Sequence, residues 1–356
     1  AMKTSSAAAM EKGLGTIAFA SGFAALPPSI CSLALGCNGM GTCLALWSRT
    51  QGVEVPSPAL LLFPLLAGAL LLAYGTKAVV APASLWRDVA DPALLPALNS
   101  GSAAVQGVTA RFSSLLPLAA THGVIVMCSA LSICIAIRFT QLNWKRGAWP
   151  DPSWFPGLFL CGMTNITVQA VGPTFLKALA PMHFWLLLAL YVPLKLIVAY
   201  RMLLSPSRVA VAPNATMNLL MAPASFFTLQ HLNCGKPGGN VVGLLLFVDS
   251  TVFGLITCAI LYTRRSLWAG AFHPSYVAFT FPVASTATAA VLAADRLPAV
   301  AGPWASAWAT TLTLVAFCVI SSVALRFLCW VTGVFVQAVM VEVSSPMKGE
   351  DAKKSE

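Results

Sequence analysis

The sequence predicts an all-α polytopic membrane protein, with ten transmembrane helices forming five antiparallel hairpins around a central pore. Three observations predict it. The first is composition: 58% of the 356 residues are hydrophobic and 9% are charged, and the mean hydropathy is +0.81. A soluble domain carries roughly 25% charged residues. So few charges cannot cover a water-facing surface, which makes lipid the solvent. The second is recurrence, because apolar runs of bilayer-spanning length follow one another along the whole chain. The third is the placement of Lys and Arg, which alternates with the runs.

A spanning helix needs roughly 20 mostly apolar residues. Candidate spans fall at 23–47, 58–80, 100–120, 122–140, 155–176, 181–203, 213–233, 241–263, 272–293 and 304–340. Residues 1–20 read as a cytoplasmic N-terminal tail, 21–342 as the membrane domain and 343–356 as a cytoplasmic C-terminal tail. Ala1 and Met2 read as a tag remnant, and Glu11 interrupts any signal-peptide pattern. The third span is the most polar, with Ser102, Gln106, Thr109, Arg111, Ser113 and Ser114. Positive charge argues for keeping it. Cytoplasmic loops collect Lys and Arg. With ten spans and both termini inside, only Arg49, Lys177, Lys236 and Arg296 face outside, and Arg111, Lys195 and Arg326 lie within spans. The other fourteen of the 21 basic residues then fall inside. Removing the third span would turn Arg138, Lys145, Arg146, Arg264 and Arg265 outward and abolish the bias.

Odd and even spans differ. Odd spans carry Pro27 and Pro28, Pro117, Pro173, Pro223 and Pro282, with many Gly, Ser and Thr; even spans are richer in Leu, Ile and Val. A proline inside a helix frees a carbonyl that lipid cannot satisfy. Such helices belong in the protein interior or beside water, so the odd spans are expected to line a path and the even spans to meet lipid. Each single proline also fits a mere kink in a packed helix. The candidate lining residues are Pro28, Arg111, Pro117, Pro173, Pro223, Thr280 and Pro282.

Several segments resemble the tellurite-resistance/dicarboxylate transporter family, which includes plant slow-type anion channels. His273-Pro274-Ser275-Tyr276-Val277-Ala278-Phe279-Thr280-Phe281-Pro282 is similar to that family's ninth-helix pattern, with Tyr276 where a Trp is usual. Pro152-Ser153-Trp154-Phe155-Pro156 resembles the start of its fifth helix, and Met221-Ala222-Pro223 the Ala-Pro of its seventh. Gly36, Gly39 and Gly41 ahead of Trp47 resemble its glycine-rich first helix, and Asp91-Pro92 falls where the family has a proline between helices two and three. The resemblance implies five helical hairpins around a quasi-fivefold pore, inner odd helices and a homotrimer with one pore per subunit. It also implies a phenylalanine that blocks the pore. By position that residue is Phe281, with Phe279 as runner-up on a different helical face. From the residues alone, Phe281 reads equally as a gate and as a packing ring.

An anion path needs positive potential, donors and few carboxylates. The spans hold one acid, Asp249. Lys195 is expected to pair with it, because an unpaired intramembrane charge is costly. Arg111, on the most polar odd span, is the candidate anion-attracting charge, with a structural hydrogen bond as the other reading. The four histidines sit near span ends, an interfacial placement, and His273 falls at the pore mouth. Nine of the ten cysteines lie in apolar runs as small hydrophobes, and Cys234 reads as exposed in a Gly/Pro loop. No metal-ligand spacing, cofactor motif or catalytic signature is present. The expected function is an anion channel or channel-like transporter in the cell membrane. Its expected partners are small inorganic or organic anions and the lipid bilayer, with no nucleic acid. The alternatives are a proton-coupled carrier of dicarboxylate, sulfite or tellurite-type oxyanions and, further off, a membrane-embedded enzyme. Proton coupling needs an ionisable relay, which this sequence barely supplies.

Overall fold

The computed structural model describes residues 19–204, 221–234, 239–263, 272–297, 302 and 304–344. The described chain is helical, with no strand. Helix α1 spans Ser29–Gln51, α2 Ser57–Val80, α3 Pro82–Ala90, α4 Leu95–Arg111 and α5 Leu118–Lys145. The next segment is broken into α6 (Trp154–Phe159), a 3₁₀ turn (Leu160–Met163) and α7 (Thr164–Val171). Then follow α8 (Thr174–Leu204), α9 (Met221–Asn233), α10 (Gly239–Thr263), a 3₁₀ turn (Pro274–Phe279), α11 (Thr280–Arg296) and α12 (Trp304–Ser344). Residues 1–18 and 345–356 of the expected tails and the loop charges Arg208, Lys236, Arg264 and Arg265 lie outside the described residues.

Among the described residues, seven helical segments are long and apolar enough to cross a membrane. They correspond to the predicted spans except the third, fifth and seventh, whose described parts are α4, α6–α7 and α9. Each of the three is embedded among other helices. Two of the long segments are interior: 67% of the α1 window and 89% of Pro274–Arg296 is buried, against 28–39% for the other five. Large exposed apolar side chains such as Leu72, Met127, Leu196, Leu245 and Leu325 lie on α2, α5, α8, α10 and α12. Among the described residues, none lies on α1, α4, α6, α7, α9 or α11. Exposed leucine on five helices and small residues on the others is the pattern of an inner set sheathed from lipid by an outer set.

Lipid provides no hydrophobic drive between helices, so close approach through small residues matters more than bulk. A close approach joins α1 to α11. A Cβ on Gly36 would lie 2.3 Å from the Thr280 hydroxyl oxygen, and one on Gly39 would lie 3.1 Å from the Ala284 methyl. Gly101 on α4 similarly admits Cys31, and Gly107 admits Asn38. The polar residues of α4 serve its neighbours. Ser102 donates to the Cys128 carbonyl at 2.7 Å and accepts from Ser132 at 2.9 Å. The Asn99 amide reaches the Pro156 and Gly157 carbonyls, both at 3.4 Å, beside the broken fifth segment. Interior backbone freed by the break needs such partners, because no lipid group can supply them.

Helix α3 falls in a stretch the sequence reads as a loop. It returns Asp88 onto Lys77 of α2, Nζ to Oδ2 at 2.6 Å, with the Tyr74 hydroxyl donating to the same oxygen at 2.7 Å. The Lys77 ammonium also donates to the Leu26 carbonyl at 2.8 Å. Lys77 is 1% exposed. It is a core residue, whereas charge counting placed it in a cytoplasmic loop. A buried ammonium is tolerable only with such a complete set of acceptors.

Candidate functional site

Two cavities lie inside the inner set. The first, about 320 Å³, is bordered by Pro28 and Ser32 at the start of α1, Pro96 and Ser100 of α4, and Pro156 of α6. Pro223 and Phe226 of α9 and Val277, Phe281 and Pro282 of the ninth segment complete it. The second, about 270 Å³, is bordered by Asn38 and Thr42 of α1, Gly107 and Ala110 of α4, and Thr167 of α7. Asn233 of α9 and Phe281, Thr288 and Arg296 of α11 complete it. Both are lined by the same five segments, predicted spans one, three, five, seven and nine. Each segment gives its N-terminal part to the first cavity and its C-terminal part to the second, so the five run in one direction.

Phe281 belongs to both linings. It is 6% exposed, and its ring stacks on Phe226 with centroids 4.6 Å apart and planes at 28°. Its backbone nitrogen would lie 3.1 Å from a Cβ at Gly36, so α1 fixes the height of the ring. Phe279 borders neither cavity and is buried in the 3₁₀ turn. The 3₁₀ turn reaches α11 through Thr280, whose hydroxyl donates to the Val277 carbonyl at 2.8 Å. His273 caps that turn by accepting from the Ser275 N–H at 3.2 Å, next to Pro274 and Ser275 of the first cavity's wall.

The prolines sort by position. Pro28, Pro96, Pro156, Pro223 and Pro282 all border the first cavity, one from each segment. Pro28 caps α1, and Pro96, Pro156 and Pro282 lie in the first turn of α4, α6 and α11, where the missing N–H would have had no intrahelical partner anyway. Pro117 and Pro173 are corrections to the predicted lining. Pro117 is exposed and caps the start of α5, and Pro173 lies in the break before α8; neither borders either of these two cavities. Pro96 and Pro156 take their places. Thr280 is likewise buried against Gly36 and borders neither cavity.

Charge is also placed differently. Arg111 is the last residue of α4, half-buried, one position beyond the lining residue Ala110. The charged residue that does border the second cavity is Arg296. Neither lining contains a carboxylate among the described residues. The hydroxyl protons of Thr42 and Thr288 go to carbonyls one turn back, so these side chains present oxygen rather than hydrogen. The first turns of α1 and α4 open on the first cavity, whose potential is therefore raised by the positive ends of two helix dipoles. Lys195 and Asp249 form an ion pair between α8 and α10, with the Tyr191 hydroxyl donating to Asp249 at 3.0 Å, and they border neither cavity. Cys234 is half-buried rather than exposed, and burial pushes its thiol up to about 11.

The seven apolar helices, the exposed leucine belt and the paired internal cavities define a membrane-embedded helical protein. Comparison with protein-family models finds no match, and comparison with curated proteins finds none.

Proposed function

We propose that the chain is an anion channel or channel-like transporter whose path runs through the two cavities and is closed by Phe281. The observation that carries this reading is that, among the described residues, Phe281 alone is common to both linings. An apolar ring in a narrow passage blocks ions by filling it and excluding water. Walls without carboxylate, one arginine and two inward helix dipoles favour anions over cations. An uncoupled path fits better than a proton-coupled carrier, because among the described residues these linings hold no acid or histidine to relay protons. On this reading the three shorter segments complete ten spans in five hairpins, with both termini cytoplasmic and the chain in the cell membrane. The resemblance to the tellurite-resistance/dicarboxylate transporter family supports the same reading and adds the homotrimer. Planar-bilayer recording from purified protein with chloride, nitrate, sulfite and malate tests it. Uncoupled anion currents that rise in Phe281→Ala are expected. Proton-dependent turnover, or selectivity for cations, would overturn it.

A further inference from the structure

Arg296 occupies the last turn of α11, where the negative end of the helix dipole favours a cation. Its guanidinium is clipped to the end of α9, donating to the Leu232 carbonyl and to the Asn233 side-chain oxygen at 3.2 Å. The Asp295 carboxylate lies 3.9 Å from Nε, its side chain 40% exposed against 34% for Arg296, and Asp295 is not part of the cavity wall. The clip holds one positive charge at the edge of the polar cavity. Asn38 belongs to the same wall, is 7% exposed, and its amide oxygen has no hydrogen-bond partner among the described residues. A buried amide oxygen left open is satisfied by a donor such as a water carried with a guest. A cavity of about 270 Å³ has room for a small ion with several waters, since one water takes roughly 30 Å³.

We propose that the second cavity binds a hydrated monovalent anion at Arg296, and that Arg296 rather than Arg111 is the charge that concentrates anions in the path. This rests on the reading of the cavities as an anion pathway. Removing one unit charge at the edge of a partly dry cavity weakens anion occupancy by roughly three- to tenfold.

Two measurements test the site. In the Phe281→Ala background, the half-saturating chloride concentration for conductance should rise roughly three- to tenfold with Arg296→Gln and less than about twofold with Arg296→Lys, which keeps the charge. Separately, wild-type protein in detergent should melt higher in chloride than in gluconate at equal ionic strength, and Arg296→Gln should lose that difference, because a bound ligand stabilises the state that binds it. An unchanged half-saturation in Arg296→Gln overturns the site. So does an equal loss in Arg296→Lys, which would make the side chain a structural clip only, and so does wild-type melting that ignores chloride. If Phe281→Ala carries no current, the gate reading fails, and the melting experiment still decides the site.

Discussion

Replacing Phe281 with alanine removes a ring from the position that touches both cavities. The lost volume is roughly 100 Å³, and in a sealed soluble core Phe→Ala costs about 3–5 kcal/mol, of which roughly 24 cal/mol per Å³ is the void itself. Here the void would open into the two existing cavities rather than remain sealed, so most of that contribution disappears. What remains is lost contact, including the stack on Phe226, worth about 0.5–1.5 kcal/mol. The expected destabilisation is therefore about 1–2 kcal/mol. Phe279 serves as the contrast: 2% exposed and away from both cavities, its truncation should cost the full ~3–5 kcal/mol. The assay is paired: single-channel or macroscopic current in planar bilayers, and melting temperature with folded yield from the same preparations. Phe281→Ala should raise anion current by about tenfold or more at modest loss of stability, because the blocking ring is gone. Phe279→Ala should melt lower and add no current. A well-folded Phe281→Ala protein with unchanged current would refute the reasoning, as would a stability loss equal to that of Phe279→Ala.

Three other expectations follow from the packing. Lys77→Met leaves the Asp88 carboxylate buried without its cation and should cost about 3–5 kcal/mol; the Lys77→Met/Asp88→Leu double variant should recover much of it, as measured by thermal unfolding in detergent. Equal losses in both would mean the pair is not the cause. Gly36→Ala drives a methyl into Thr280 and should destabilise by about 1–3 kcal/mol, whereas Gly68, with nothing within 4 Å of its added Cβ, should accept alanine with a gain of about 0.5–1 kcal/mol. Comparable melting of the two variants would contradict the close approach of α1 and α11. Cys234 should label slowly with an impermeant maleimide added from outside, and the rate should climb about tenfold per pH unit towards pH 11, because the raised thiol leaves little thiolate at pH 8. A rate already level by pH 9 would show a solvated thiol, and labelling only after permeabilisation would place this loop on the other side.

Much of the arrangement was legible because it follows from solvent. Residues that meet lipid must be large and apolar, and residues between helices must be small or hydrogen-bonded, so Leu-rich and Gly/Ser/Thr-rich runs separate on sight. The same rule explains why Lys195 and Asp249 read as partners, since two opposite charges within apolar runs have few other options. The lining was read less well. Pro117 and Pro173 look like Pro28 and Pro282 in composition, but a proline at a helix start and one at a helix break differ only in where neighbouring turns begin. The position within the segment carried a usable signal: Pro117 and Pro173 lie near the ends of their predicted spans, whereas Pro28 lies early in its span and Pro223 and Pro282 at the middle of theirs. Arg111 drew attention because it sits in a weakly hydrophobic run, while Arg296 looked like a loop residue one helix end away.

The order of residues sets the solvent, the alternation of inner and outer helices, and the position of a phenylalanine beside a proline on an inner segment. Those are local properties, set by the side chains of each run and the cost of burying charge or bare backbone in lipid. Only the tertiary structure decided that Phe281 lies between two cavities while Phe279 does not, that Lys77 is neutralised by Asp88 from a short returning helix, and that Arg296 reaches the polar cavity. Each depends on which helices meet and at what height. That is fixed by the depth to which Gly36, Gly39 and Gly107 let backbones approach, and approach distance is a property of pairs of segments that no single run encodes.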